Sequence, residues 1–347
     1  MKRETIPARY AGMAAAWPEL TLCRIIAQER GLYTIDSENG IRTAAVSGKF
    51  QHEALTVSDY PAVGDYVLAE TETGGVWVIR QVLPRRSVFL RRAAGTAKTE
   101  QVVAANVDTV FLCMALNNDF NLRRLERYLS VAWDSGAVPV VVLTKADLCD
   151  PAEKLAQVQS VAMGVDILVT SAMERDGCEA IMPYLMSGVT VAFVGSSGVG
   201  KSTLVNRLLG EDRMATNGLR NDDKGRHTTT RRQLLPLPGG ASVIDTPGMR
   251  ELGMWDAADG LEHTFADIEA LAAGCRFRNC THGSEPGCAV RAALESGRLS
   301  EERFRSYEKL MAENAYTQDA ADYLAAKEKK FRSIAQYNKT NKSAKTG

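Results

Sequence analysis

Val189-Thr-Val-Ala-Phe-Val-Gly-Ser-Ser-Gly-Val-Gly-Lys-Ser-Thr-Leu-Val-Asn-Arg-Leu-Leu209 is the stretch on which the fold turns. The run to Val194 is apolar and strand-sized, and Thr203–Leu209 repeats apolar residues at helical spacing. Between them Gly195, Ser196, Ser197, Gly198, Val199, Gly200, Lys201 and Ser202 fit G-x-x-x-x-G-K-[ST] at every specified position. Glycines there let the backbone curl so that successive N–H groups face a phosphate, while the helix opening at Thr203 adds its dipole. The Lys201 ammonium suits the β- and γ-phosphates, and the Ser202 hydroxyl suits Mg²⁺. A nucleoside triphosphate site at the edge of an α/β sheet follows.

Working outward, the same pattern of apolar strand and helix runs back to about Asn106. Strands are expected at Val107–Leu116, Val138–Leu143, Val165–Val169, Val189–Val194 and Ala241–Ile244. Helices are expected at Leu122–Ser135, Pro151–Met163 and Cys178–Met186. Buried strands interleaved with crossover helices mean a parallel sheet, whose ligands lie beyond the strands' carboxyl ends. Three further motifs stand at such ends. Thr144-Lys145-Ala146-Asp147 offers a carboxylate that can accept from both N1–H and the amine of guanine, with the Lys145 stem over the base. Thr170-Ser171-Ala172 offers the Ala172 N–H to the guanine carbonyl. Asp245-Thr-Pro-Gly248 offers a metal-directed carboxylate and, at Gly248, an N–H for the γ-phosphate. The polar segment Gly225-Arg-His227-Thr228-Thr229-Thr230 suits a switch whose threonine completes the Mg²⁺ shell. Spacing does not choose among the three; Thr229 is taken here.

The first stretch, to about Arg92, reads as short β segments: Thr21–Gln28, Leu32–Asp36, Arg42–Ser47, Asp65–Glu70 and Val76–Val82, parted by turn residues. A small five-stranded barrel of OB type is expected, although an SH3-like barrel would read much the same. After Gly253 the chain reads as helices at Ala289–Ser296, Ser300–Ala312 and Asp319–Gln336. Phe304, Tyr307, Leu310 and Met311 are expected in their core. Ahead of these helices stands Cys275-x4-Cys280-x-His282-x5-Cys288, three thiolates and one imidazole. That set fills a tetrahedral Zn²⁺ shell and leaves no open position, so a structural site is expected. The remaining cysteines, Cys23, Cys113, Cys149 and Cys178, read as buried or indifferent thiols.

The 347 residues suffice for two or three domains, and 45% hydrophobic with 24% charged residues excludes disorder as the main character. No apolar run approaches membrane length, and the opening residues lack a secretory h-region, so a cytoplasmic address is expected. Lys plus Arg balances Asp plus Glu, 42 against 42. The balance hides basic clusters at Arg85, Arg86, Arg91, Arg92 and Lys98, and in the tail from Lys327, of the kind that meet nucleic acid.

In sum the order is TKAD, TSA, phosphate loop, switch threonines, DTPG, whereas an ordinary small GTPase begins with the phosphate loop. The chain resembles the circularly permuted, ribosome-associated GTPases of the RsgA (YjeQ/EngC) family from end to end. Thr144 departs from the asparagine most GTPases carry, which leaves guanine choice to Asp147. The resemblance implies an OB-type barrel over residues 1–95 with a basic linker. A permuted G domain would follow over 96–253, and a zinc-binding helical domain over 254–347. It further implies GTP/GDP with Mg²⁺, one structural Zn²⁺, and a monomer acting on the small ribosomal subunit and its rRNA late in assembly. Met249 stands where small GTPases place the water-orienting glutamine, and a thioether cannot do that work. The nearest candidate is His227, and the resemblance implies that role for it. Two other readings are a GTP-dependent metallochaperone, with the Cys/His cluster as delivery site, and an RNA-binding adaptor with a degenerate nucleotide site.

Overall fold

The computed structural model describes residues 6–29, 31–71, 76–92, 100–174, 176–212, 214, 232–245 and 258–315. A short helix α1 (Ala8–Ala14) precedes five strands: β1 (Thr21–Glu29), β2 (Leu32–Ser37), β3 (Gly40–Val46), β4 (Tyr66–Thr71) and β5 (Trp77–Val82). They close in the order β1-β2-β3-β5-β4-β1, with β3 and β5 parallel and the rest antiparallel. A helix α2 (Gly48–Glu53) lies between β3 and β4 and is capped by the Ser47 side chain, which accepts from Phe50 N. That order is the OB arrangement, and it decides between the two barrels the sequence allowed. On β2 burial alternates, Tyr33 and Ile35 facing in. On β4 it does not alternate, because Tyr10 of α1 stacks on Tyr66 at 3.9 Å and covers the outer face.

A hairpin of β6 (Val88–Arg92) and β7 (Glu100–Ala105) leads into β8 (Thr109–Ala115), α3 (Leu122–Ser135), β9 (Val138–Thr144), α4 (Ala152–Val161) and β10 (Asp166–Val169). There follow β11 (Thr190–Val194), α5 (Lys201–Leu209), β12 (Arg232–Pro236) and β13 (Ser242–Asp245). The sheet runs β10-β9-β8-β11-β13-β12, parallel except for β12. The expected helix over Cys178–Met186 is instead a short 3-10 stretch, Glu179–Tyr184, because Pro183 sits inside it and lacks the N–H an α-helix needs. The hairpin and β12 were not read from the sequence. All three strands are short, and none alternates cleanly between apolar and polar residues.

Strand β12 joins the two sheets. On β1, residues Thr21–Arg24 pair with β4, while Ala27 and Gln28 pair with Gln233 and Arg232 of β12. Between the two halves the register against β2 slips at Ile25/Ala27, a bulge that turns β1 from one neighbour to the other. Around this join the polar groups are tightly paired. The Arg24 guanidinium crosses to the Thr190 hydroxyl at 2.6 Å. Arg85 forms a bidentate pair with the fully buried Asp65, and Arg86 pairs with Asp108. Asn106, at φ 55°, accepts from Tyr10 Oη at 2.7 Å and Arg86 N at 2.9 Å and donates to Gly64 O. Two arginines of the first basic cluster are therefore internal ties.

Beyond the sheet lie α6 (Ala258–Thr264), α7 (Ala266–Ala272), α8 (Ala289–Glu295) and α9 (301–315). Helix α6 packs on α3 so closely that a Cβ at Gly260 would fall 1.9 Å from Ser130 O. Phe304 and Leu310 are buried and Tyr307 is partly so, but Met311 faces solvent at 40% exposure, outside the core where it was expected. The expected helix over Asp319–Gln336 and the basic tail lie outside the described residues. No helix among the described residues is long and apolar enough to cross a membrane.

Candidate nucleotide and metal sites

The phosphate loop leaves β11 at Gly195 and enters α5 at Lys201. Gly195 has φ 153°, and a Cβ there would meet Cys113 O at 2.5 Å, so the loop can turn over β8 only with glycine at this position. Gly200, at φ 108°, caps α5. Lys201 Nζ donates to the carbonyls of Gly195 and Ser196, each at 2.6 Å, which draws the ammonium back across the loop it would serve. Behind the loop, burial pushes the Cys113 thiol up to about 12, so it stays protonated and unreactive.

The Thr144–Asp147 tetrad stands beside this loop. The buried Thr144 hydroxyl donates to Val199 O at 2.6 Å, tying the end of β9 to the phosphate loop. Thr144 therefore does positional work that needs only a hydroxyl. Replacing it by Val orphans a buried carbonyl, a loss of roughly 1–3 kcal/mol. Thr144→Val is expected to weaken GTP binding about tenfold in a nucleotide titration, and Thr144→Ser to retain it. Equal affinity in the Val variant would show that the tie is idle.

Lys145 adopts φ 61°, which swings the chain into a 3-10 turn over Ala146–Leu148. Asp147 on that turn accepts from Ser171 Oγ at 2.7 Å, while Ala146 N donates to Thr170 O. TKAD and TSA thus form one laced edge, with Ala172 next in the chain. A residue the sequence reading missed is Asp119, in the loop after β8. Its carboxylate accepts from Ser196 Oγ of the phosphate loop and pairs with Arg124 of α3 at 2.9 Å. Its signal was available: the acid follows a strand that neighbours β11 at the sheet's carboxyl edge.

Gly198, at φ 77°, Ser197, Ser202 and Thr203 lie where the motif places them, on the loop and the first turn of α5. Asp245 ends β13, beside β11. His227, Thr229 and Gly248 lie outside the described residues.

In the helical unit after the sheet, Cys275, Cys280, His282 and Cys288 bring one donor atom each within 4.8 Å of one another. Cys275 Sγ lies 3.8 Å from Cys288 Sγ, and His282 Nδ1 lies 3.6 Å from Cys275 Sγ and 3.5 Å from Cys288 Sγ. A tetrahedron with metal–sulfur bonds of about 2.3 Å has sulfur–sulfur edges of about 3.8 Å and sulfur–nitrogen edges of about 3.5 Å. Three thiolates and an imidazole suit zinc in type, and the three edges among Cys275, His282 and Cys288 suit it in size. His282 holds φ 61° to present Nδ1, and Cys288 Sγ also accepts from Arg291 N at the start of α8.

Comparison with known proteins agrees with this geometry. A family model described as RsgA GTPase matches residues 82–255. The chain is 54% identical to the small ribosomal subunit biogenesis GTPase RsgA 2 of Lactiplantibacillus plantarum, over 85% of this chain and 84% of that protein. It is 49% identical to the small ribosomal subunit biogenesis GTPase RsgA of Opitutus terrae, over 89% and 88%. Among solved structures it is similar to YjeQ from Thermotoga maritima, with TM-score 0.63 and 28% identity over 85% of this chain and 99% of that one. It is also similar to YloQ, a circularly permuted GTPase, with TM-score 0.61 and 25% identity over 86% and 96%.

Proposed function

The chain belongs to the RsgA family of circularly permuted GTPases, and from that premise we propose that it binds the small ribosomal subunit and its rRNA as a monomer in the cytoplasm, hydrolysing GTP late in subunit assembly at a rate the subunit raises. The observation that carries this reading is the laced edge. The Thr144 hydroxyl on Val199 O joins base recognition to the phosphate loop, at the carboxyl end of a sheet flanked by an OB barrel and a Cys/His knot. In this reading the N-terminal unit covers residues 1–95, the G domain 96–253 and the zinc-binding unit 254–347.

The roles follow from chemistry. Asp147, oriented by Ser171, accepts from the two guanine donors; adenine has no N1–H to give. Lys201 neutralises the β- and γ-phosphates, and Ser202, Thr229 and Asp245 serve Mg²⁺, which supplies charge neutralisation when bound. The four donors at 275, 280, 282 and 288 hold a structural zinc ion; a full complement of four donors, with tetrahedral edges among Cys275, His282 and Cys288, favours that over delivery of metal.

Purified protein should hydrolyse GTP and not ATP, and turnover should rise strongly with purified small subunits. Slow GTP hydrolysis indifferent to subunits would keep the nucleotide site and sink the assembly role. His227 is the group proposed to orient the attacking water. His227→Ala is expected to lower kcat about 10²-fold while GTP affinity changes little. An unchanged kcat would remove it from the mechanism. Asp147→Asn exchanges one acceptor for a donor, so GTP affinity should fall about 10²-fold and xanthosine triphosphate should bind better than GTP. Indifference to that change would mean that TKAD does not face the base.

A further inference from the structure

Two arginines meet at the join of the two sheets, and among the described residues no acid pairs with either. Arg91 lies on β6 opposite Gln101 of β7. Arg232 opens β12, directly after the switch segment, and its Nη1 donates to Val102 O at 3.1 Å, one residue along β7 from the partner of Arg91. Both side chains are half-buried. Burial, and then the Arg91 charge, pull Arg232 below the ordinary guanidinium value. Among the described residues the buried Nε–H of Arg91 has no hydrogen-bond acceptor. Among the described residues neither arginine forms an ion pair, whereas Arg85 and Arg86 of the same cluster are committed to Asp65 and Asp108.

Like charges held together in a partly dry place, with a donor left over, disfavour the free protein and favour an anion. The shape of the need is specific. Two planar forks can share one tetrahedral oxyanion, each taking its own oxygens, while a carboxylate is filled by a single fork. The place is specific too. Gln28 of the barrel pairs with Arg232, so the two cations sit where an OB strand, the basic hairpin and the switch strand converge. We propose that Arg91 and Arg232 form a clasp for one phosphate of an RNA backbone, and that filling the clasp holds the switch strand β12 against the hairpin. The proposal rests on the reading of an RNA-containing partner given above and adds the contact by which that partner reaches the nucleotide site. A phosphate that cancels the repulsion between hairpin and β12 stabilises one position of the strand that the switch segment enters. By linkage, a nucleotide state that prefers this position tightens the grip on RNA.

The test is binding of the full-length protein to purified small subunits over a series of salt concentrations, with wild type, Arg91→Gln and Arg232→Gln. Each substitution is expected to weaken binding about tenfold at moderate salt and to lower the slope of log K against log salt by about one. The free variants should melt no lower than wild type, because each removes one of two mutually repelling cations; a merely structural arginine would lower the melting temperature. Lost affinity at an unchanged salt slope would point to a protein contact and overturn the clasp. In a second arm, inorganic phosphate replaces chloride at constant ionic strength. A melting shift that phosphate gives to wild type but not to either variant, with subunit affinity unaltered in all three, would mark a free-phosphate site and overturn the RNA assignment. Wild type and variants binding subunits alike, with no such shift, would overturn the clasp and leave the ribosomal reading standing. A wild type that ignores subunits, yet binds a structured RNA hairpin with a slope that both variants lower, would sink the ribosomal reading and keep the clasp.

Discussion

Removing metal with a chelator, or replacing Cys280 by Ser, is expected to unfold the Cys/His knot and free the helices around it from the G domain. The reason is that the four donors gather a turn with no regular element of its own. From Cys275 to Cys288 the backbone is irregular, tied by Arg276 N to Gly287 O, by Cys280 N to Phe277 O and by Thr281 N and Oγ1 to the Glu285 carboxylate. His282 is held at φ 61°, a conformation that costs energy for any residue other than glycine. Removing the ion leaves three thiols and an imidazole crowded within 4.8 Å with nothing to gain from proximity. The loss spreads because Cys288 is also buried in the main core and receives the first-turn N–H of Arg291 in α8. Structural zinc contributes on the order of 10 kcal/mol to folding in small domains, comparable to the whole stability of many proteins. Chelator-treated protein should lose helical circular dichroism and lose amide protection over 266–299, while protection over β8, β9 and β11 persists. One equivalent of zinc should be released. Full protection after complete metal loss would make the cluster an incidental group of thiols.

What could be read in advance divides along a physical line. Glycines, Lys201 and Ser202 advertise the phosphate loop because its chemistry is local: the residues that bind are the residues that bend the chain. The same holds for the Cys/His spacing and for TKAD. By contrast β12 depends on pairing with β1 some two hundred positions earlier, and its composition (Arg-Gln-Leu-Leu-Pro) announces nothing. Arg85 and Arg86 looked like a nucleic-acid patch because charge is visible in sequence, whereas the buried Asp65 and the Asp108 that absorb them are distant or unmarked. Thr144 looked like a weakened asparagine. The fold gives its hydroxyl a buried carbonyl to hold, so threonine ties the end of β9 to the phosphate loop.

The permuted order has a consequence of its own. D-x-x-G is the last of the nucleotide-site motifs, so the chain after it runs on to the C-terminal helices. Strand β12 pairs with β1, so the sheet that carries the phosphate loop is bonded directly to the barrel. The nucleotide edge is therefore joined to both flanking units, by chain on one side and by sheet on the other. A third connection runs through α3. Asp119 and Arg124 link its N-terminal end to Ser196 of the phosphate loop, and its middle carries Glu126.

Replacing Arg303 by Met should therefore cost about 3–5 kcal/mol, more than any other single side-chain change considered outside the metal ligands. Arg303 is 7% exposed and leaves α9 to reach Glu126 Oε1 at 2.7 Å, Asp267 Oδ1 at 2.8 Å and Thr264 O at 2.7 Å, with Phe265 beneath its plane at 4.4 Å. Burial opposes its charge, but the Asp267 and Glu126 carboxylates outweigh that and hold the guanidinium more firmly protonated than usual. Glu126 is itself 2% exposed and takes its other hydrogen bond from Ser306. Met fills much of the volume but leaves that carboxylate buried with its cation gone, which is the costly half of breaking such a pair. The companion double variant Arg303→Met/Glu126→Leu removes both charges and should recover most of the loss, because a well-packed apolar pair avoids the desolvation penalty. Arg303→Lys should fall between, since a single ammonium cannot span Glu126, Asp267 and Thr264 together. Denaturant midpoints for the three variants test the scheme. A single variant within 1 kcal/mol of wild type, or a double variant no better than the single, would mean that α9 is held on α3 by the Arg127–Glu313 pair and by the packing of Phe304 and Leu310, and not through this charge.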